Sequence, residues 1–137
     1  MAGDLSEHLN WSELRCKDGT EYPVRWRSNR AIRLSNLFED IRAIYDKPIR
    51  ILSAYRSPEH NRVIGGARFS QHVEGRALDL QPPRGVSIDK FYSDIRSRIE
   101  EFGIKGIGKY TTFVHVDFRP SDKLISWNGA GTKDSGV

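Results

Sequence analysis

Apolar residues recur at intervals of three and four from Ala31 to Tyr45. Ala31, Leu34, Leu37, Phe38, Ile41, Ile44 and Tyr45 form one stripe, with Arg33, Glu39, Asp40 and Arg42 opposite it. This is the period of a helix that buries one side. Ser28 or Asn29 can cap its start and Pro48 stops it, so a helix is predicted over 29–46. The same spacing returns in Ile88, Phe91, Tyr92, Ile95, Ile99 and Phe102, between a capping Ser87 and a terminating Gly103, and predicts a helix over 88–102. A shorter helix over 58–64 is marked by Ser57-Pro58 at its start and Gly65-Gly66 at its end.

Elsewhere the period changes to two or to a continuous apolar run. Ile49 to Tyr55 reads as a first core strand, and Ala77-Leu78-Asp79-Leu80 and Phe113 to Phe118 as alternating strands. Residues 5–26 carry Leu9, Trp11, Leu14, Tyr22, Val24 and Trp26 around a turn at Lys17-Asp18-Gly19, and predict an irregular wrap whose aromatics cover the core. Gly103 to Gly108 reads as a glycine-rich edge. The segment after Pro120 reads as a polar tail anchored by Trp127 and mobile from about Gly129. The expected fold class is α+β: a small, mainly antiparallel sheet flanked by helices. At 137 residues the chain is expected to form a single domain, 1–137, with its core at about 5–127.

Chemistry concentrates on the two alternating strands. Alternation puts Ala77 and Asp79 on one face and Leu78 and Leu80 on the other. His72, in the loop just before, and His115, inside the later strand, can meet Asp79 there. Two histidines and an aspartate make the three-ligand, one-open-position arrangement of a catalytic zinc site. An aspartate inside an apolar strand needs a cation or donors, since burying it unpaired costs several kcal/mol. A purely structural reading pairs Asp79 with Arg76 and leaves both histidines unexplained. His8 and His60, in polar surroundings, are expected to face solvent. Cys16, the only cysteine, excludes an internal disulfide and reads as a small, part-buried hydrophobe with no histidine partner evident nearby.

Composition narrows the partners. The net charge of +4 suits an anionic polymer, but its cations are spread along the chain and mixed with acids. That predicts general attraction and no dedicated nucleic-acid stripe. No apolar run is long enough for membrane insertion. Met1 to Glu7 lacks the basic-then-apolar pattern of a signal peptide, so the expectation is a protein made in the cytoplasm. A monomer is expected.

Larger motifs join these residues. The segments Ser53-Ala54-Tyr55-Arg56-Ser57-Pro58-Glu59-His60-Asn61, Gly65-Gly66-Ala67, Ser70-Gln71-His72-Val73-Glu74-Gly75-Arg76-Ala77-Leu78-Asp79 and Phe113-Val114-His115-Val116-Asp117 resemble zinc peptidases of the M15 type. These are the D-Ala-D-Ala carboxypeptidase and murein endopeptidase relatives that share a fold with the hedgehog signalling domain. The resemblance runs from about Leu5 to Trp127. It implies His72, Asp79 and His115 as ligands of Zn2+, Arg56 as the cation facing the scissile carbonyl or a substrate carboxylate, and Ser70 as a substrate-binding residue.

Many relatives place a Glu or Asp three residues before the last histidine as general base; here that position is Thr112. Asp117 is open to three readings: base, orienter of His115, or salt bridge with Arg119. Glu74 is a further candidate base, and Tyr110 and Trp127 are candidate walls of a substrate groove. The implied activity is zinc-dependent hydrolysis of peptide bonds in peptidoglycan stem peptides or cross-links. The alternative is a catalytically silent, zinc-stabilised cell-wall-binding or virion structural module. The protein is then expected to act on the cell wall after release, as an endolysin does, or as part of a phage particle.

Overall fold

The computed structural model describes residues 3–129. Two 3-10 turns, Trp11–Glu13 and Val24–Trp26, lead into α1 (Arg30–Tyr45), followed by β1 (Ile51–Ser53), α2 (Pro58–Val63), β2 (Ala77–Leu80), α3 (Ile88–Arg96), α4 (Ile99–Phe102), β3 (Gly106–Lys109), β4 (Val114–Asp117) and β5 (Ile125–Asn128). The strands form one sheet in the order β1-β2-β4-β3-β5. Only the β3–β5 pairing is parallel; the other neighbours are antiparallel. This is the expected α+β class with a mainly antiparallel sheet.

Alternation along the strands sorts the two faces. Leu78, Leu80, Ile107, Val114 and Val116 turn to one side, where they pack with Leu34, Phe38 and Ile41 of α1 and Phe91 and Ile95 of α3. Burying each such side chain contributes about 1.5–3 kcal/mol, so both helices are held chiefly by this face. The wrap adds Leu9, Leu14 and Tyr22, all fully buried, whereas Val24 faces solvent. Among the described residues no helix is long and apolar enough to cross a membrane.

Helix ends follow local chemistry. The Asn29 side chain accepts the Arg30 amide and starts α1, and Asp46 ends it in the left-handed conformation with φ 51, two residues before Pro48. Short polar side chains tolerate that region best after glycine. Ser57 and Ser87 cap α2 and α3 by accepting amides three residues on.

Four expectations are corrected. The helix over 88–102 is two helices, because the Ser97 hydroxyl donates to the Asp94 carbonyl and Arg98 leaves helical geometry at φ −123, ψ 19. That side-chain bond competes with the helical ladder. The first strand is short, because its register with β2 shifts between Ile51 and Ser53. The glycine-rich edge is an inner strand, β3. The tail after Pro120 contributes β5, with Trp127 lying across Gly108. The mobility expected from about Gly129 onward falls, Gly129 apart, outside the described residues.

Candidate metal centre

The face of the sheet turned away from α1 and α3 carries the site. Strand register lays Ser53, Asp79, His115, Gly108 and Trp127 side by side across all five strands, with Ala77, Asp117, Gly106 and Ile125 in the next row on the same face. His72 comes from the loop before β2. Its backbone is pinned by three bonds: its amide donates to Ser70 Oγ, and its carbonyl accepts from the Arg56 and Gly75 amides. Gly75 sits at φ 69 with no room for a Cβ against Trp26 and the Tyr22 hydroxyl, which donates to the Gly75 carbonyl at 2.8 Å. The N-terminal aromatics therefore set the loop that delivers His72.

Tautomers follow from the partners. His72 Nδ1 lies 2.7 Å from the Ala54 carbonyl, which can only accept, so Nδ1 carries the hydrogen. In the neutral ring Nε2 is then a bare lone pair, and it faces Asp79 Oδ2 at 3.1 Å. Both atoms are buried with no hydrogen-bond partner among the described residues. Two acceptors that close in a dry interior need a cation between them.

His115 supplies the third group. Its Nδ1 lies 2.9 Å from Asp79 Oδ1, and its Nε2 lies 2.7 Å from Asp117 Oδ2. One ligand atom each from His72, Asp79 and His115 falls within 4.8 Å of the others, and all three residues are buried. Two imidazoles and one carboxylate, with a fourth side open, suit a divalent cation of the late first-row kind. Arg76, the structural partner considered for Asp79, turns to Glu74 at 3.4 Å.

Electrostatics agree with the geometry. Burial works to raise the Asp79 carboxyl, but positive charge at the His72 and His115 positions outweighs it and holds it at about 2; with His72 neutral and Nε2 bare, a bound cation supplies that charge. Burial likewise works to lower His115, but its bonds to Asp117 and Asp79 prevail and push it up to about 9. An imidazole raised from 6.5 to about 9 stabilises the metal-free fold fully below pH 6.5, and loses that contribution as pH rises through about 9. A cation at Nδ1 must expel that proton. Titrating the stripped protein with metal at pH 7 is expected to release about one proton, read with a pH indicator in weak buffer. Affinity should weaken as pH falls.

Asp117 is fully buried, and its oxygens receive four donors: the Arg119 amide and Nε at Oδ1, and Arg119 Nη2 and His115 Nε2 at Oδ2. Burial works to raise its carboxyl, and these donors hold it well below the usual range. Gly106 makes the space, since a Cβ there would land inside the Asp117 carboxylate. Because Asp117 is tied on both oxygens it cannot swing aside, so Gly106→Ala should lower stability by about 1–3 kcal/mol and weaken metal binding, read by thermal unfolding and metal titration.

The remaining candidates fall around this cluster. Arg56 is only 1 % exposed. Its guanidinium donates to Asn61 Oδ1 at 3.0 Å and to Ser53 Oγ at 3.3 Å, which places it beside the row that holds Asp79. Ser70, Gln71, His115, Arg119 and Trp127 line a cleft of about 220 Å³, with Phe69 and Ile125 at its rim. Phe69 is 81 % exposed. Trp127 packs on the His115 ring at 5.1 Å between centroids and donates from Nε1 to the Tyr110 hydroxyl at 2.9 Å. Thr112 is exposed in the bend before β4, and Glu74 pairs with Arg30 and Arg76.

A family model described as Peptidase M15 matches residues 7–117. The chain belongs to this peptidase family. No curated protein matches it. As an M15 peptidase it is a hydrolase of peptide bonds, and the matched segment spans every residue of the His72–Asp79–His115 cluster together with Arg56 and Asp117.

Three further features of this M15 peptidase were not singled out in the sequence. Gln71 Oε1 is buried beside the cleft with no hydrogen-bond partner among the described residues, within a motif where only its neighbours carried recognised chemistry. Gly106 reads as a turn until its partner strand is known. His60 and Cys16, expected to be solvent-facing and without a histidine neighbour, lie together with Asp18. His8 also departs from expectation, being half-buried with Nδ1 2.6 Å from Glu39 Oε1.

Proposed function

We propose that this M15 peptidase is a zinc peptidase that cuts peptide bonds in peptidoglycan stem peptides or their cross-links. The observation that carries the reading is the bare His72 Nε2 facing the unpartnered Asp79 Oδ2, with His115 Nδ1 closing the triangle. A zinc ion held by these three would polarise the scissile carbonyl and lower the pKa of an attacking water.

The chain's own groups have distinct tasks. Asp117 accepts the His115 Nε2 proton and so keeps Nδ1 free to ligate, which makes it a positioning residue. Its four donors leave it poorly suited to take a further proton. Arg56 is a fixed cation beside the ligand row and stabilises charge that develops on the carbonyl oxygen. Gln71 Oε1 offers an acceptor to a substrate amide, and Ser70 helps shape the same wall. The exposed Phe69 and Ile125 give apolar contact at the rim.

The filled Asp117 carboxylate and the threonine at position 112 favour one alternative, a zinc-stabilised module that binds the cell wall without turnover. Zinc restoration separates the two. Metal-stripped protein should release no peptides from purified peptidoglycan, and added zinc should restore release. Failure of zinc to restore release, in a protein that has bound it, would favour the module.

A further inference from the structure

A second group of ligand-type side chains lies away from the sheet. Cys16, Asp18 and His60 bring a sulfur, a carboxylate oxygen and a ring nitrogen within 4.8 Å of one another. We propose that these three residues form a second cation site, selective for a borderline-soft divalent ion of the zinc class.

The fold prepares each group. Cys16 and Asp18 sit in a tight turn closed by the Cys16 amide on the Thr20 carbonyl and the Gly19 amide on the Cys16 carbonyl. Gly19 takes φ 94, which frees the turn to present both side chains to the same side. His60 projects from the first turn of α2. The Ser57 amide donates to Cys16 Sγ at 3.3 Å, the kind of bond that stabilises a thiolate ligand.

Asp18 accepts from the Ser57 hydroxyl through Oδ2 at 2.7 Å and from the Thr20 amide through Oδ1 at 2.8 Å, with the Thr20 hydroxyl and the Cys16 thiol also turned to it, so that loss of the thiol proton frees a lone pair for the ion. The His60 ring has no hydrogen-bond partner among the described residues. On binding, the Cys16 thiol gives up its proton to solvent, and thiolate and carboxylate together balance the dication. Sulfur and imidazole exclude magnesium and calcium as preferred occupants. Cys16 is buried while Asp18 is exposed, so a fourth position stays open to water. A cleft lined by Arg15, Cys16, Lys17 and Gly19 reaches Cys16.

The bound ion would staple the Cys16–Thr20 turn to α2, immediately beyond Arg56. The site therefore braces the segment that places Arg56, independently of the His72 cluster. A purely structural reading leaves Asp18 as a brace for α2 and Cys16 as packing, and predicts no metal.

Cobalt(II) titration of the metal-stripped full chain distinguishes them. Thiolate-to-cobalt charge transfer gives a near-ultraviolet band that a site of two histidines and an aspartate cannot produce. The band is expected in His72→Ala at one equivalent and in the wild type by two, is absent in Cys16→Ser, and needs at least tenfold more cobalt in His60→Ala, where the half-exposed position keeps the fold. Zinc should also raise the melting temperature of His72→Ala, and not that of the His72→Ala, Cys16→Ser double variant. No band in the folded wild type, or a band unchanged by joint His60→Ala and Asp18→Ala substitution, would overturn the proposal.

Discussion

Asp79→Asn is expected to empty the His72 cluster of metal and reduce peptide hydrolysis by at least about a thousandfold, equivalent to about 4 kcal/mol of barrier. Asp79 is the only formal negative charge in the three-residue cluster, with Oδ1 bonded to His115 and Oδ2 set against the bare His72 Nε2. An asparagine matches its shape but offers one neutral oxygen, a poor ligand for a dication, and its NH2 would pair with the His72 lone pair. The metal-free chain should stay folded, because that amide–imidazole bond answers the buried acceptor of His72. In a Cys16→Ser background, chelator should then leave the melting temperature of Asp79→Asn unchanged while lowering that of the chain that keeps Asp79. A variant that kept metal and turnover would place the cation elsewhere.

Arg56→Lys is expected to lower kcat by about a hundredfold to a thousandfold while leaving the metal content of the His72 cluster intact. The guanidinium fills a dry space and spans two acceptors, Asn61 Oδ1 and Ser53 Oγ. An ammonium is a compact charge on a flexible stem and cannot hold both at once, so the substitution is not conservative here. Stability should fall by about 1–3 kcal/mol as Asn61 loses its partner. Gly66 offers no slack, since its Cα lies against Asn61 and Arg56 with no room for a side chain. Steady-state kinetics with metal analysis read both effects. Unchanged kcat in a folded variant would remove Arg56 from the chemistry and leave it as packing.

The cluster was legible in the sequence where side chains alternate against a core. Leu78 and Leu80 must face inward, which forces Asp79 outward, and the same logic turns His115 and Asp117 outward between Val114 and Val116. α1 was legible because its stripe is continuous and Asn29 caps it. What escaped lacked that signal. β3 carries Gly106 and Gly108 where an alternating pattern would be read, and both are glycine because Asp117 and Trp127 occupy the space above them. β5 is an edge strand with exposed side chains, so it carries no core pattern of its own. The break at Ser97 arises from one hydroxyl bond that no periodicity reveals. The meeting of Cys16 with His60 depends on how the N-terminal wrap closes over α2, a contact between residues far apart along the chain.

The most direct measurement is the mass spectrum of products released from purified peptidoglycan by the zinc-loaded protein, beside His72→Ala as control. The account predicts peptide fragments with new termini at one defined bond, absent from the control, and their masses name that bond. Intact peptidoglycan after incubation with folded, zinc-loaded wild type would contradict it.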